Sequence, residues 1–312
     1  MSRSVKGGAA VVCRSWQTLG GDHESTLNML KMPVSKTQID RLGDRLKGGS
    51  HAESDLRLLD DYRQSFGEAY KAVVRTIRQG GEFPTGRLAK STASIAEKLL
   101  RESIRLSQMQ DIAGCRVVVT DVVKQGQFVA SLRTVFPGAS VIDRRDNPSY
   151  GYRAVHIIAE ISGKPVEIQV RTVLQHLWAE VSEKASDVLD PTIKYGGGSE
   201  WWRNFLTKSS ESVATYEEFE KRHSIAVAAK EVADAAHEKF ERALAELLDR
   251  DPPDHELQEL RGELEASTRE MERREQEHQE LRRELERARN STADLLSGAI
   301  SWLDERAKEQ KQ

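Results

Sequence analysis

The side chains best suited to chemistry fall within residues 87–183, as five short patterns in one order. The first sets Arg87, Lys90, Ser94 and Lys98 around what reads as a helix start at Ser94, where free N–H groups and the helix dipole favour phosphate. A capped helix with solvated lysines is the bland alternative. In the second, Asp111 precedes a β-branched run and Arg116 lies just inside it. A carboxylate so placed can hold Mg2+ together with phosphate oxygens, and a guanidinium can neutralise or stack on a nucleotide. A turn-capping Asp beside an ion-paired Arg would look the same. Third, residues 143–150 mix charges with Pro148 and Tyr150, an exposed loop offering an aromatic stacking surface. Fourth, Tyr152, Ala154 and His156 alternate with Arg153 and Val155, so they share one strand face. Fifth, Glu167, Gln169 and Arg171 alternate with Ile168 and Val170. Three polar groups on one face of a central strand need a reason, and an edge strand with a solvated face is the structural alternative.

The elements that must position these residues are legible in hydrophobic period. Residues 55–79 carry Leu59, Tyr62, Phe66, Tyr70, Val73 and Ile77 at three- and four-residue spacing, which predicts one long amphipathic helix whose stripe is core. Gly86 reads as a turn before a second, basic helix over 94–105. Residues 115–119 then predict a buried strand, 122–136 a helix, and 140–143, 154–161 and 165–170 further strands, the last two joined as a hairpin at 162–164. Helix returns over 172–190, and 195–198 reads as a flexible break. A sheet with at least one antiparallel hairpin and flanking helices is α+β with a mixed sheet, not a doubly wound parallel fold.

Two long helical stretches follow, 200–250 and 255–310, and the second places Leu257, Leu260, Leu264, Met271, Leu281, Leu285, Leu295 and Trp302 near one heptad seam. Ser267, Arg274 and His278 interrupt that seam. A hairpin folded back on its own chain and an intermolecular coiled coil, hence a homo-oligomer, both remain open. The expected organisation is a disordered leader at 1–31, an α+β domain at 32–198, a helical extension at 199–250 and a charged helical tail at 254–312.

Composition narrows the setting. Charged residues make up 31% of the chain against 38% hydrophobic, a balance that fits much exposed helix. The net charge of -3 provides no global pull toward nucleic acid or membrane, so phosphate must be met by local Lys and Arg. Two cysteines, Cys13 and Cys115, are too few for a disulfide framework or a thiolate zinc site and suit a reducing cytoplasm. No apolar run approaches membrane-spanning length.

Ser94-Ile95 with Lys98, Asp111-Ile-Ala-Gly with Arg116, Gly151-Tyr-Arg with His156 and Glu167-Ile-Gln-Val-Arg-Thr172, in that order, resemble the synthetase domain of the RelA/SpoT family in its single-domain, small alarmone synthetase form. The resemblance spans roughly 34–198, includes 174–180 and leaves out the tail. No His-Asp dipeptide is present, so the hydrolase domain of the long bifunctional members is not expected. The resemblance implies a nucleotidyltransferase-like fold and an ATP-dependent pyrophosphokinase, which moves the β,γ-pyrophosphate of ATP to the ribose 3′-hydroxyl of GDP or GTP to make (p)ppGpp. It implies that Asp111 and Glu167 hold Mg2+, with Glu167 also able to help deprotonate the acceptor. It further implies that Lys90 and Lys98 hold ATP phosphates beside Ser94 and that Arg116 packs on adenine. Tyr152 would stack on guanine, with His156, Gln169 and Arg171 shaping the acceptor site. Two positions depart from the pattern. Leu88 stands where many synthetases carry Arg, with Arg87 displaced by one, and residues 147–150 lack the Lys often found before Gly-Tyr. Other readings therefore stay open: a toxic relative acting on tRNA 3′ ends or making adenosine alarmones, with an unknown antitoxin, and a catalytically silent nucleotide-binding module. Retention of both carboxylates counts against the last.

Overall fold

The computed structural model describes residues 34–250 and 253–310, so the expected leader lies outside the described residues. Ser35 opens α1 (Lys36–Lys47) with a capping box, its hydroxyl taking the Gln38 N–H while the Gln38 side chain caps back. The stripe that predicts one helix over 55–79 is carried by two, α2 (Glu53–Gln64) and α3 (Gly67–Gln79). Ser65 donates its hydroxyl to the Tyr62 carbonyl at 2.5 Å and the chain turns at Phe66. The stripe survives the break, since Leu59, Phe66, Val73 and Ile77 are all buried in one core.

Gly86, which reads as a turn, is instead the centre of a short edge strand, β1 (Thr85–Arg87), paired opposite Cys115. A Cβ there would lie 2.5 Å from the Gly114 carbonyl oxygen and 2.6 Å from the Cys115 Cα, so only glycine lets this strand close on its neighbour. α4 (Thr92–Arg101), β2 (Ala113–Val119), α5 (Val122–Val135), β3 (Ser140–Asp143), β4 (Val155–Ile161), β5 (Lys164–Thr172) and α6 (Val173–Val188) follow. α4 starts earlier and ends earlier than expected. Its cap is Ser91, whose hydroxyl accepts from the Ser94 N–H, and Glu102 is already extended.

The sheet runs β1-β2-β5-β4-β3, with β2 and β5 parallel and every other pair antiparallel, the mixed α+β arrangement expected. Ser162 and Gly163 both have positive φ, as the two-residue turn of a tight hairpin requires, and so fix the β4–β5 register. That register sends Val166, Ile168 and Val170 of the central strand into the core packed by the first helices. Its other face therefore carries Glu167, Gln169 and Arg171.

α6 joins α7 (Glu200–Leu248) and α8 (Asp254–Glu309) around a second core that includes Trp178, Leu206, Leu296 and Leu303. The two long helices pair with each other. Along α8 the expected heptad positions are partly or fully buried up to Leu285, but beyond it the seam slips by one residue: Leu296 and Leu303 are buried, while Leu295 and Trp302 stay 45% and 44% exposed. A straight helix drifts from a 3.5-residue repeat, and here the last turns of α8 pack on α6 as well as on the start of α7. Lys184 of α6 pairs with Asp304, and Gln310 donates to the Val188 carbonyl. The segment 195–198 is packed, not loose, because Gly196 lies under the Tyr150 ring so closely that a Cβ would come within 2.3 Å of it. No helix among the described residues is long and apolar enough to cross a membrane.

α7 also caps the sheet layer, since Glu220 accepts the Val122 N–H at the start of α5 at 2.9 Å. Burial pushes the Glu220 carboxyl up to about 7 in spite of that bond, with Asp121 and Glu217 adding to the rise. A carboxyl raised on folding contributes stability below its unfolded value and loses it as pH climbs through the folded one. Glu220→Gln keeps an acceptor for Val122 without the charge. Its melting temperature is expected to match the parent near pH 5 and to exceed it by several degrees, roughly 2–6 °C, at pH 8, measured by thermal denaturation across that range.

Candidate active site

A cavity of about 710 Å3 opens beside the polar face of β2 and β5, between α4 and α6. Nine of the eleven residues singled out from the sequence line it: Arg87, Lys90, Ser94, Lys98, Asp111, Arg116, Glu167, Gln169 and Arg171. Lys90 and Lys98 do not face a free helix end. They converge on Asp111, Lys90 Nζ 2.6 Å from one carboxylate oxygen and Lys98 Nζ 3.0 Å from the other. Burial works to raise the Asp111 carboxyl, but the two ammonium groups overcome it and hold the group below the usual carboxylate range.

Glu167 is equally enclosed. His156 Nδ1 approaches one oxygen at 2.9 Å and Gln169 Nε2 donates to the other at 2.7 Å. Burial would raise this carboxyl too, but the contacts from His156 and Gln169 together outweigh it, so Glu167 is also held low. Both carboxylates are anionic at neutral pH.

Tyr152 and His156 do not line the cavity; they form its support. Arg171 Nη2 donates to the Tyr152 hydroxyl at 2.9 Å and to Gln169 Oε1 at 2.8 Å. The Tyr152 hydroxyl stands 2.8 Å from His156 Nε2. One assignment of protons accommodates every contact in the ring: Arg171 donates to Tyr152, Tyr152 to His156 Nε2, and His156 Nδ1–H to Glu167, while Gln169 closes the ring between Glu167 and Arg171. The Arg171 guanidinium carbon lies 5.0 Å from the Tyr152 ring centroid, so the ring is already engaged by a cation.

The cavity's positive wall is incompletely paired. Arg171 is 3% exposed, yet its Nε and Nη1 have no partner, and neither does Arg116 Nε. Burial and the nearby Arg171 both push the Arg116 guanidinium down. A buried and a half-buried guanidinium, each with buried N–H groups left free, suit an anion with several oxygens in one cavity.

Residues not singled out from the sequence complete the far end. Arg101 lies 3.9 Å over the Tyr195 ring, and Lys194 Nζ stands 3.6 Å from Glu97, so the end of α4 is bridged to the turn after α6. Arg101 follows Lys98 by three positions on the same basic helix, a signal within reach of the sequence. Tyr195 gave none, because its place depends on how α6 ends. As hard oxygen donors in one cavity, Asp111 and Glu167 fit a Mg2+ ion. No group of three metal-ligating side chains occurs among the described residues, so such an ion would take its further oxygens from water or substrate phosphates.

Residues 86–186 match the family described as a region found in RelA / SpoT proteins. This segment is a RelA/SpoT region. An uncharacterised protein of Mycobacterium tuberculosis is 37% identical over 172 residues, which cover 52% of this chain and 63% of the relative, and one from Mycobacterium bovis matches equally. This match therefore takes in under two thirds of the mycobacterial proteins' length. A probable chloroplastic GTP diphosphokinase of Arabidopsis thaliana is 29% identical over 163 residues, covering 49% of this chain and 23% of that one. Small alarmone synthetase 1 of Bacillus subtilis, solved with its product pppGpp, aligns at a TM-score of 0.43 and 29% identity over 57% of this chain and all of its own. The RelA/SpoT region thus contains β1 to most of α6, and with them all of the cavity's carboxylates except Asp187.

The support ring makes the Tyr152 hydroxyl as consequential as its ring. Tyr152→Phe leaves His156 without its donor and strips Arg171 of a further partner, and is expected to cost about 1–2 kcal/mol of stability in urea denaturation. An unchanged unfolding midpoint would show the ring to be energetically idle.

Proposed function

We propose that the protein is an ATP-dependent pyrophosphokinase that transfers the β,γ-pyrophosphate of ATP to the ribose 3′-hydroxyl of GDP or GTP. The observation that carries this reading is the pairing, within one cavity, of two ionised carboxylates with Arg116 and Arg171, whose buried N–H groups are unsatisfied. Transfer of a phosphoryl-type group requires alignment and neutralisation of charge more than covalent chemistry. The plant relative, a probable GTP diphosphokinase, accords with that chemistry.

In this reading Asp111 and Glu167 hold Mg2+, which when bound supplies charge neutralisation at the phosphates. Lys90 and Lys98 turn from Asp111 to the phosphate chain as it enters, with Ser94 beside them. Arg116 and Arg87 flank the adenine end, while Arg171 gives its free N–H groups to the transferred group or the acceptor's phosphates. Glu167, held below the usual carboxylate range, is a poor proton acceptor. Its part is to orient metal and acceptor, and Gln169 and His156 fix its direction. Tyr152 bounds the acceptor side behind Arg171.

Incubation with γ-labelled ATP, Mg2+ and, in separate tubes, GDP, GTP, ADP or bulk tRNA is expected to label GDP or GTP. Asp111→Asn and Glu167→Gln should each lower that turnover at least about a hundredfold, since each removes charge facing the transition state. Label in tRNA alone or ADP alone would replace the acceptor. Label nowhere would leave a nucleotide-binding module.

A further inference from the structure

The segment that precedes β4 is held by the C-terminal extension as well as by the sheet. Gly151 has φ of +89°, and a Cβ on it would meet Trp178 at 2.7 Å, the Leu206 carbonyl at 3.2 Å and Ser210 at 3.3 Å. It is wedged against α7. Ser210, 4% exposed, donates its hydroxyl to the Gly151 carbonyl at 2.7 Å. Two residues on, Arg153 Nη2 donates to Glu217 Oε2 at 2.7 Å. Glu217 is 2% exposed, and its other oxygen takes Gln175 Nε2 at 2.6 Å. Gln175 in turn meets Gln125 Nε2, which also donates to the Val170 carbonyl of the central strand. Tyr152 stands between these two attachments. Just before them Tyr150 adopts φ of +53°, a conformation that costs a non-glycine residue energy and persists only where its surroundings enforce it.

We propose that α7 is part of the acceptor site, with Ser210 and Glu217 as positioning residues that hold Gly151 and Arg153 and thereby set the Tyr152 ring, the Arg171 guanidinium and the direction of Glu167. The proposal rests on the reading of Tyr152 and Arg171 as the acceptor side of a pyrophosphokinase. It goes beyond that reading because both residues lie outside the RelA/SpoT region, on a helix that contributes no side chain to the cavity lining. The buried Glu217 charge has no purpose in the helical core itself: its partners are Arg153 and Gln175, and an apolar residue would pack there without needing either. The donor end, at Lys90, Lys98 and Asp111, touches neither residue, so the larger effect falls on the acceptor.

The test is made on the full chain, with KM for ATP and for GDP measured separately and with equilibrium binding of GDP and of a non-hydrolysable ATP analogue. Ser210→Ala is expected to weaken GDP about three- to tenfold, the loss of one buried hydrogen bond. Glu217→Gln, which keeps the amide contacts but not the ion pair, is expected to weaken GDP about tenfold, with the ATP analogue within about twofold of the parent in both. Thr215→Ala, whose exposed hydroxyl bonds only within α7, should change neither. Equal loss for both nucleotides, or none for GDP, overturns the proposal and leaves Ser210 and Glu217 as core residues. If the parent transfers no pyrophosphate but binds GDP in a manner that both variants weaken selectively, the reaction assignment fails and the positioning role stands. If the parent binds no GDP, both fall.

Discussion

An ionised carboxylate in the middle of a sheet must be answered on every side, and Glu167 on β5 imposes that demand on the rest of the site. Charge in a low-dielectric setting is tolerated only with partners in good geometry. His156 and Gln169 supply them, Tyr152 and Arg171 complete the ring, and the ring in turn fixes which β4 residue must oppose which β5 residue. The pairing of His156 with Gln169 across the two strands is that register, set by the Ser162–Gly163 turn. Sheet topology and site chemistry are therefore one arrangement. A slip of one residue would put Glu167 into the apolar core and Ile168 into the cavity.

Much of this was legible in the sequence because the relevant signals are local. Strand alternation placed Glu167, Gln169 and Arg171 on one face, the β-branched run after Asp111 marked β2, and the hairpin turn announced itself. What failed was decided by tertiary contact. Gly86 is a strand residue because β2 approaches too closely for a side chain, which nothing near it in sequence reveals. The stripe over 55–79 has the period of one helix, and period alone does not register the joint at Phe66. The spacing around Lys90 and Lys98 suggested a phosphate-binding helix end, whereas the two lysines meet a carboxylate thirteen or more positions away in the chain. Tyr152 was legible as important but not in its manner, since a lone aromatic before a strand does not show that its hydroxyl is spoken for.

The long helices show the same division. Their existence follows from the apolar stripe, their pairing within one chain is a choice the stripe left open, and the slip of the α8 seam to Leu296 and Leu303 goes with a second partner, α6, that the heptad pattern does not know about. Their attachment to the sheet layer through Glu217 and Glu220 is polar and buried, the opposite of what an apolar stripe predicts. Two acidic residues three apart on a charge-rich helix read as solvated surface until Arg153 and the start of α5 are found against them.

The grip of Lys90 and Lys98 on Asp111 also gives the cavity an order of events. While both ammonium groups sit on that carboxylate, its negative charge is spent within the protein and the cavity has little to offer a lone cation. A polyphosphate carries the charge to draw the lysines away, and in doing so it would uncover the carboxylate. Under the proposed reaction the resting site is thus self-neutralised, and the anionic ligand unlocks it. Cation and nucleotide would then bind with mutual reinforcement, each raising the other's affinity by the same factor, because both depend on breaking one internal pair of contacts.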